Sequence, residues 1–260
     1  MISYKTKEEI ELIRQSSLLV GKTLAEVAKH IRPGIKTIEL DKIAEAFIRD
    51  NNGKPAFKGY AGYPATLCIS VNEVVVHGIP GNYELKDGDL VSVDCGTLMN
   101  GFYGDSAYSF AVGEVSDDKR LLMQRTKESL YLGIKVAKPG NRVGNIGYEV
   151  QTYVESFGYS VVRDLVGHGI GRELHEKPEV PNYGKRGDGT MLRPGMVICI
   201  EPMINFGKRY VEQDRDGWTI RTLDRSPSAH YEHQIAITDN GPMILSSFDE
   251  IENVLREKEN

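Results

Sequence analysis

A short pattern that occurs twice in the chain constrains the fold more than any other sequence feature. Residues 85–94 read Leu-Lys-Asp-Gly-Asp-Leu-Val-Ser-Val-Asp, and residues 192–201 read Leu-Arg-Pro-Gly-Met-Val-Ile-Cys-Ile-Glu. Each copy predicts a glycine turn that leads into an apolar strand and ends in an acid. In a fold with approximate two-fold symmetry, the terminal acids Asp94 and Glu201 would converge at the axis.

The helices that precede each copy also repeat. In each half the first of two predicted helices ends at a Pro-Gly pair, which begins at Pro33 and at Pro139. The distance from this pair to the turn glycine is nearly constant, with 55 positions from Pro33 to Gly88 and 56 from Pro139 to Gly195. The first helix is predicted to run from Thr6, which can form a capping box with Glu9, to Pro33. The others are predicted from Thr37 to Asn51, from Ser116 to Pro139, and up to Gly158. The repeat predicts an internal duplication.

Length and composition place the chain among globular proteins that need no disulfides. Its 260 residues are 40% hydrophobic and 27% charged, which is enough to bury a large core. We expect one domain over residues 1–260, with internal halves of about 1–115 and 116–260. The formal charge of −5 leaves no dense basic stripe, which argues against a specific nucleic acid as the main partner.

The sequence also predicts the compartment. Residues 1–11 alternate Lys and Glu with apolar residues and lack the apolar core of a signal peptide, and no later stretch reaches membrane-spanning length. Cys68, Cys95 and Cys199 are widely spaced and odd in number, which favours reduced thiols over a disulfide frame. We expect a cytoplasmic protein with no membrane partner.

A predicted hairpin brings two aspartates together. Asn100-Gly101 is a two-residue turn signal, because both central positions of the favoured turn need positive φ. If Met99 pairs with Phe102, Asp94 and Asp105 project from one face as diagonal neighbours, roughly 7–8 Å apart at Cα. Either acid alone would more often be solvated or paired with a lysine, but two on one apolar face can share a cation.

Three further residues extend this acidic pair. Glu201 follows an apolar, strand-like run at 196–200, and Glu232 lies in a run at 231–238 that is predicted to be another strand. An unpaired buried charge is costly at both places. His168 lies between glycines that leave its imidazole accessible, and beside four converging acids it is better explained as a ligand than as a structural histidine. Four carboxylates and one imidazole suit hard divalent ions, and more acids are present than one ion needs. Two ions bridged by shared carboxylates would activate water for hydrolysis.

These five residues, with Asp94 and Asp105 eleven positions apart, resemble the ligand set of the type I methionine aminopeptidases. The resemblance extends over the chain through Asn-Glu-Val-Val-Val-His-Gly-Ile-Pro at 72–80, Asp-Gly-Trp at 216–218 and Ser-Ala-His-Tyr-Glu-His at 228–233. It implies the pita-bread fold of the α/β (α+β) class, in which two pseudo-symmetric halves form a curved antiparallel sheet covered by helices. The implied activity is removal of the initiator methionine from nascent chains and N-terminal methionyl peptides, with a preference for a small second residue.

The resemblance also implies a role for each site residue. One divalent ion (Co, Mn, Fe, Zn or Ni) would be held by Asp94, Asp105 and Glu232, and a second by Asp105, His168, Glu201 and Glu232. Glu201 would also act as general base, and His77 and His175 would contact the substrate during catalysis. The pocket for the methionine side chain would comprise Phe57, Tyr60, Tyr63, Cys68, Leu174 and Trp218. A monomer that contacts the ribosome transiently is expected.

Three residues in or beside the predicted pocket depart from the family pattern, and two other predictions of function remain open. Ala61, Phe57 and Leu174 differ from residues common at these places and affect the expected dimensions of the pocket. The short chain resembles the bacterial form. A prolidase or Xaa-Pro aminopeptidase would share the ligand set but normally carries a further amino-terminal domain. A non-catalytic binding protein of this fold would be expected to have lost ligands, whereas all five are present here.

Overall fold

The structure, a computed structural model, describes residues 2–259 as helices packed over antiparallel β-sheets. The helices are α1 (Lys7–His30), α2 (Thr37–Asp50), α3 (Asp117–Val136), α4 (Val143–Glu155) and α5 (Asp249–Glu259). The strands are β1 (Lys54–Pro55), β2 (Leu67–Val71), β3 (Val74–Val76), β4 (Leu90–Met99), β5 (Phe102–Ala111), β6 (Ser160–Val161), β7 (Gly167–Gly169), β8 (Glu176–Val180), β9 (Val197–Ile200), β10 (Met203–Asn205), β11 (Val211–Gln213), β12 (Ile220–Thr222), β13 (Ser228–His230), β14 (His233–Thr238) and β15 (Gly241–Ile244). The predicted α/β (α+β) class is confirmed.

The first four helices lie within the predicted boundaries. At the start of α1 the Thr6 hydroxyl accepts a hydrogen bond from the Glu9 amide at 3.2 Å, and the Glu9 carboxylate accepts one from the Thr6 amide at 3.0 Å. This reciprocal pair is the predicted capping box. Helix α5 was not predicted from the sequence, and it packs against α1 through a face that includes the fully buried Ile251.

Two sheets carry the duplicated pattern. In the first, β4 pairs with β1 and β2 and also with β5, and all of these pairings are antiparallel. In the second the order is β15-β14-β9-β7-β8, also antiparallel. Strand β4 carries Asp94, and β9 ends directly before Glu201. Both strands are central, because β2 and β5 flank β4 and β7 and β14 flank β9. This correspondence supports the internal duplication inferred from the sequence.

The predicted hairpin register is confirmed. Met99 pairs with Phe102, Asp94 lies opposite Ala107, and Asp105 lies opposite Gly96. Both turn residues have positive φ, 55° at Asn100 and 78° at Gly101. Because the register sets which face each side chain occupies, the turn places the two aspartates on one side of the sheet.

The two sheets meet where β5 approaches the start of β14. The run from residue 231 to 238 was expected to be one strand, but the strand begins only at His233. Glu232 instead donates its backbone N–H to the carbonyl of Ala107 in β5 at 3.0 Å. The amide of Asp105 donates to Gln234 Oε1 at 3.1 Å. These bonds hold acids from the two halves at the junction of the sheets.

Smaller sheets complete the molecule. One has the order β13-β10-β6 and another the order β11-β12-β3. Helix α1 lies on β4 and β5, so close that a Cβ added at Gly104 would be 2.5 Å from the carbonyl carbon of Ser16. The three cysteines are buried free thiols. Within residues 2–259, no helix combines the length and apolar character needed to cross a membrane.

Candidate active site

One pocket of about 450 Å³ opens between the two sheets. Every residue that the sequence assigned to metal or substrate lines it: Phe57, Tyr60, Tyr63, Cys68, His77, Asp94, Asp105, His168, Leu174, His175, Glu201, Trp218 and Glu232. These residues span much of the chain, so the fold has brought together side chains that are distant in sequence. A single pocket with acids and aromatic walls is the arrangement expected of an enzyme site.

The floor of the pocket carries the four acids. Asp105 and Glu232 are buried, with 3% and 2% of their surface exposed, and Asp94 and Glu201 are half-buried. Burial raises the pKa of Asp94 to about 7. Burial also raises the pKa of Asp105, Glu201 and Glu232 well above the usual carboxyl range, and the charges of neighbouring acids raise it further. Without a cation, these carboxyl groups cannot all ionise easily.

His168 completes the acidic floor. Its Nδ1 is 2.9 Å from the carbonyl oxygen of Gly169, so Nδ1–H donates and Nε2 is left with a lone pair. That Nε2 lies 3.9 Å from Asp105 Oδ2 and 3.6 Å from Glu201 Oε1. Burial lowers the pKa of His168 to about 3, which keeps the imidazole neutral. A neutral imidazole held through its other nitrogen is a typical metal ligand.

The floor fits a bound cation. Asp94 Oδ1, Asp105 Oδ1 and Glu232 Oε1 are buried and have no hydrogen-bond partner among the described residues. Potential ligand atoms of Asp105, His168, Cys199 and Glu232 all lie within 4.8 Å of one another. Buried anionic oxygens without donors are costly unless a positive charge compensates them. The donor set therefore fits divalent metal.

Cys199 and His230 are two neighbours of the floor that the sequence analysis did not assign to the site. Cys199 lies two residues before Glu201, so strand alternation turns both side chains to one face, a signal that was available in the sequence. His230 is buried, and its Nε2 lies 3.8 Å from Glu201 Oε2. No sequence pattern distinguished His230 from the adjacent motif residues, because its proximity to Glu201 depends on the packing of β13.

Aromatic groups form one wall of the pocket. The Tyr63 hydroxyl donates to the carbonyl of Leu67 at 2.9 Å and also lies 3.1 Å from the carbonyl of Gly78. The ring of Tyr63 meets Trp218 edge-on, with the ring centroids 5.1 Å apart. Phe57 packs directly on Gly96, where an added Cβ would be 2.5 Å from its ring. This wall is anchored to β2 and β4, and it is continuous with the acidic floor.

His77 and His175, the two histidines predicted to contact the substrate, line the pocket above the floor. His175 Nδ1 is 2.7 Å from the hydroxyl of Tyr60, and its ring lies 4.4 Å from the ring of His168, between centroids. His77 has a left-handed backbone with φ of 57°, and its ring faces Trp218. Burial lowers the pKa of His77 to about 4, and His175 lowers it further. Neutral imidazoles can donate or accept hydrogen bonds at substrate atoms.

The loop of Tyr60 contains Ala61, one of the residues expected from the sequence to affect the dimensions of the pocket. Ala61 has φ of 45° between Gly59 and Gly62, which have φ of 89° and 88°. A left-handed alanine is strained, so this turn is held by its surroundings. The turn places the exposed Tyr60 at the rim and the buried Tyr63 inside the pocket.

Comparison with known proteins assigns the family. The model of metallopeptidase family M24 matches residues 11–239. This chain belongs to metallopeptidase family M24. Methionine aminopeptidase 1 of Bacillus subtilis is 51% identical over 246 residues, which cover 95% of this chain and 99% of that protein. The predicted resemblance to methionine aminopeptidases is therefore confirmed.

Solved structures distinguish the methionine aminopeptidase interpretation from the prolidase interpretation. A methionine aminopeptidase from Rickettsia prowazekii superposes with a TM-score of 0.94 at 40% identity, covering 95% of this chain and all of that chain. A prolidase from Pyrococcus horikoshii superposes with a TM-score of 0.78 at 25% identity, covering 95% of this chain but only 64% of that chain. The pita-bread fold is common to both, and the agreement over the whole length is with the methionine aminopeptidase.

Proposed function

We propose that this M24 metallopeptidase removes the N-terminal methionine from peptides and nascent chains, preferring a small second residue. The observation that carries the proposal is a floor of four converging acids and a neutral His168 beneath an aromatic pocket of about 450 Å³. The similarity to methionine aminopeptidases over nearly the whole chain supports the same activity.

Two divalent ions would bind at the acidic floor. Asp94, Asp105 and Glu232 would hold one, and Asp105, His168, Glu201 and Glu232 the other. The three unpartnered carboxylate oxygens and the free Nε2 of His168 support this assignment. When bound, the ions supply Lewis acidity that activates water and polarises the scissile carbonyl.

The residues around the floor would carry the proton transfers. Glu201 would act as general base toward the attacking water, because its carboxylate borders the pocket beside the other acids. His175 would donate a hydrogen bond to the carbonyl oxygen as negative charge develops there. His77, which also lines the pocket, would contact the amide nitrogen of the bond that breaks. Asp94 would lie near the free α-amine.

The aromatic wall would select methionine. Phe57, Tyr63 and Cys68 are buried and Trp218 half-buried around the pocket, with Leu174 and Tyr60 nearby. A flexible thioether gains apolar burial and sulfur–ring contacts in such a pocket. Selection of a flexible, unbranched apolar side chain at the amino terminus then follows from the enclosed wall and the adjacent acid.

We further propose that residues 1–260 form one domain with halves of about 1–115 and 116–260. The match to the Bacillus subtilis protein, which covers 95% of this chain and 99% of that protein, supports this. We also propose that the protein acts on nascent chains in the cytoplasm as a monomer that contacts the ribosome transiently.

Peptide hydrolysis after metal removal and replacement tests the proposal. The chelated protein should be inactive, and Mn²⁺ or Co²⁺ should restore cleavage of a Met-Ala peptide, with two ions bound per chain. N-acetylation of the peptide should abolish cleavage. Cleavage of an Xaa-Pro peptide in preference to Met-Ala would assign the chain to the prolidase activity, and two bound ions without any cleavage would assign it a binding role.

A further inference from the structure

The carboxylate of Glu201 lies between two imidazoles. Its Oε1 is 3.6 Å from Nε2 of His168, and its Oε2 is 3.8 Å from Nε2 of His230. His168 is the proposed metal ligand on the first side. On the second side, His230 has no assigned role, although only 1% of its surface is exposed.

The backbone of His230 is fixed at this place. Its N–H donates to Ser109 Oγ at 3.0 Å, and its carbonyl accepts from the same hydroxyl at 2.8 Å. Ser109 is itself 2.8 Å from the hydroxyl of Ser92. His230 also pairs with Met203 of β10, two residues after Glu201. Both residues are therefore held on paired segments, and the imidazole is kept beside the carboxylate.

The imidazole of His230 needs a partner. Its Nε2 is buried and has no hydrogen-bond partner among the described residues. A neutral imidazole carries its proton on only one ring nitrogen, so the other nitrogen presents a lone pair. An ionised carboxylate can only accept hydrogen bonds. Only the tautomer with the proton on Nε2 avoids placing a lone pair against Glu201.

We propose that His230 is a positioning residue that donates a hydrogen bond from Nε2 to Oε2 of Glu201 and leaves Oε1 for metal and water. The inference rests on the proposed function. The atoms need to approach from 3.8 Å to about 2.9 Å, a small side-chain adjustment. Carboxylate ligands in metalloenzymes are commonly oriented by such outer hydrogen bonds, whose loss typically lowers metal affinity or activity about 10–100-fold.

Two variants of similar size isolate the hydrogen bond. His230→Gln keeps an N–H donor, whereas His230→Leu fills the space without one. We expect His230→Leu to lower Mn²⁺ affinity at one of two sites, or kcat on Met-Ala, by about 10–100-fold, with KM changed little. His230→Gln should recover most of the loss. Equal losses in both variants, or wild-type values in His230→Leu, would overturn the inference.

Histidine-ring ¹⁵N NMR of the wild-type protein gives a test that needs no variant. With a diamagnetic ion such as Zn²⁺ bound, Nε2 of His230 should appear as a protonated nitrogen. An unprotonated Nε2 would overturn the inference even if neither variant folds. The proposed function and the role of His230 can fail separately. If the wild-type protein binds no metal, both proposals are wrong. If it binds metal and cleaves Met-Ala normally but Nε2 of His230 is unprotonated, only the role of His230 is wrong.

Discussion

The two halves of the molecule use the same strand arrangement for different chemistry. In the first half, β2 lies beside the acid strand β4 and places Cys68 opposite Asp94. In the second half, β7 lies beside β9 and carries His168. The first half thus places an apolar thiol and the aromatic wall next to its acid, whereas the second half places imidazoles next to Glu201.

This difference shows how a duplicated backbone can become asymmetric in function. The paired strands set where the acids converge, which both halves share. Differences on the flanking strands then decide whether an acid lies beside an apolar thiol or beside imidazoles. We therefore expect changes at the shared floor to abolish the whole site, and changes on one flank to affect only one role.

The largest expected loss of activity and of bound metal is for substitution of Asp105, which lies at the junction of the halves. Asp105→Ala should remove a ligand from both proposed ions and leave the remaining acids to repel one another. Hydrolysis of Met-Ala should fall to background, and the metal content measured by mass spectrometry should fall below two ions per chain. Near-normal turnover would show that Asp105 does not bridge, and that the two halves hold metal independently.

Substitution of His77 or His175 tests whether these residues act in catalysis without binding metal. His175→Ala and His77→Ala should each lower kcat roughly 10²-fold, because a group that stabilises charge or transfers a proton is removed. Metal content should stay at the wild-type value in both variants. Loss of metal in His175→Ala would make it a ligand, and an unchanged kcat would return that histidine to a structural role.

The pH dependence of stability is a finer test of the acidic floor. Burial raises the pKa of Asp94 to about 7, whereas an aspartate in the unfolded chain titrates near pH 4. The folded metal-free protein therefore holds protons that the unfolded chain releases, and its stability should fall as the pH rises from about 4 to 7. Urea unfolding of the metal-free protein at several pH values measures this.

Saturating metal provides the control for that measurement. A bound cation favours the ionised carboxylates, so it should weaken or reverse the fall in stability between pH 4 and 7. The free energy of unfolding should also increase as metal is added, because metal binds the folded state. The same pH dependence with and without metal would show that the acids do not share a cation.

The smallest expected effect concerns the aromatic wall of the first half. Tyr63→Phe removes the hydroxyl that donates to the carbonyl of Leu67, and it keeps the ring against Trp218. The free energy of unfolding should fall by about 1–3 kcal/mol, measured in urea, with metal content unchanged. Tyr60→Phe, at an exposed position, is the matched control for loss of a hydroxyl and should cost less. Equal losses would show that burial of Tyr63 does not decide the effect.

Local signals in the sequence predicted much of the fold. The capping box at Thr6, the Asn100-Gly101 turn and the register of β4 on β5 depend on neighbouring residues, and all three are confirmed. The duplicated turn, strand and acid predicted the equivalent central strands β4 and β9. The ligand set and the pocket residues were also named from motifs, and the structure places them around one cavity.

Other features depend on contacts between segments that are distant in sequence. Glu232 leaves the predicted strand because its N–H bonds to β5, and α5 is stabilised by the face of α1 that it covers. The place of His230 beside Glu201 depends on the pairing of β13 with β10 and on Ser109. The sequence by itself determined which residues can bind metal and which local turns form, because these properties belong to side chains and near neighbours. Only the tertiary structure decided their environment, since burial and distance arise when the sheets pack together.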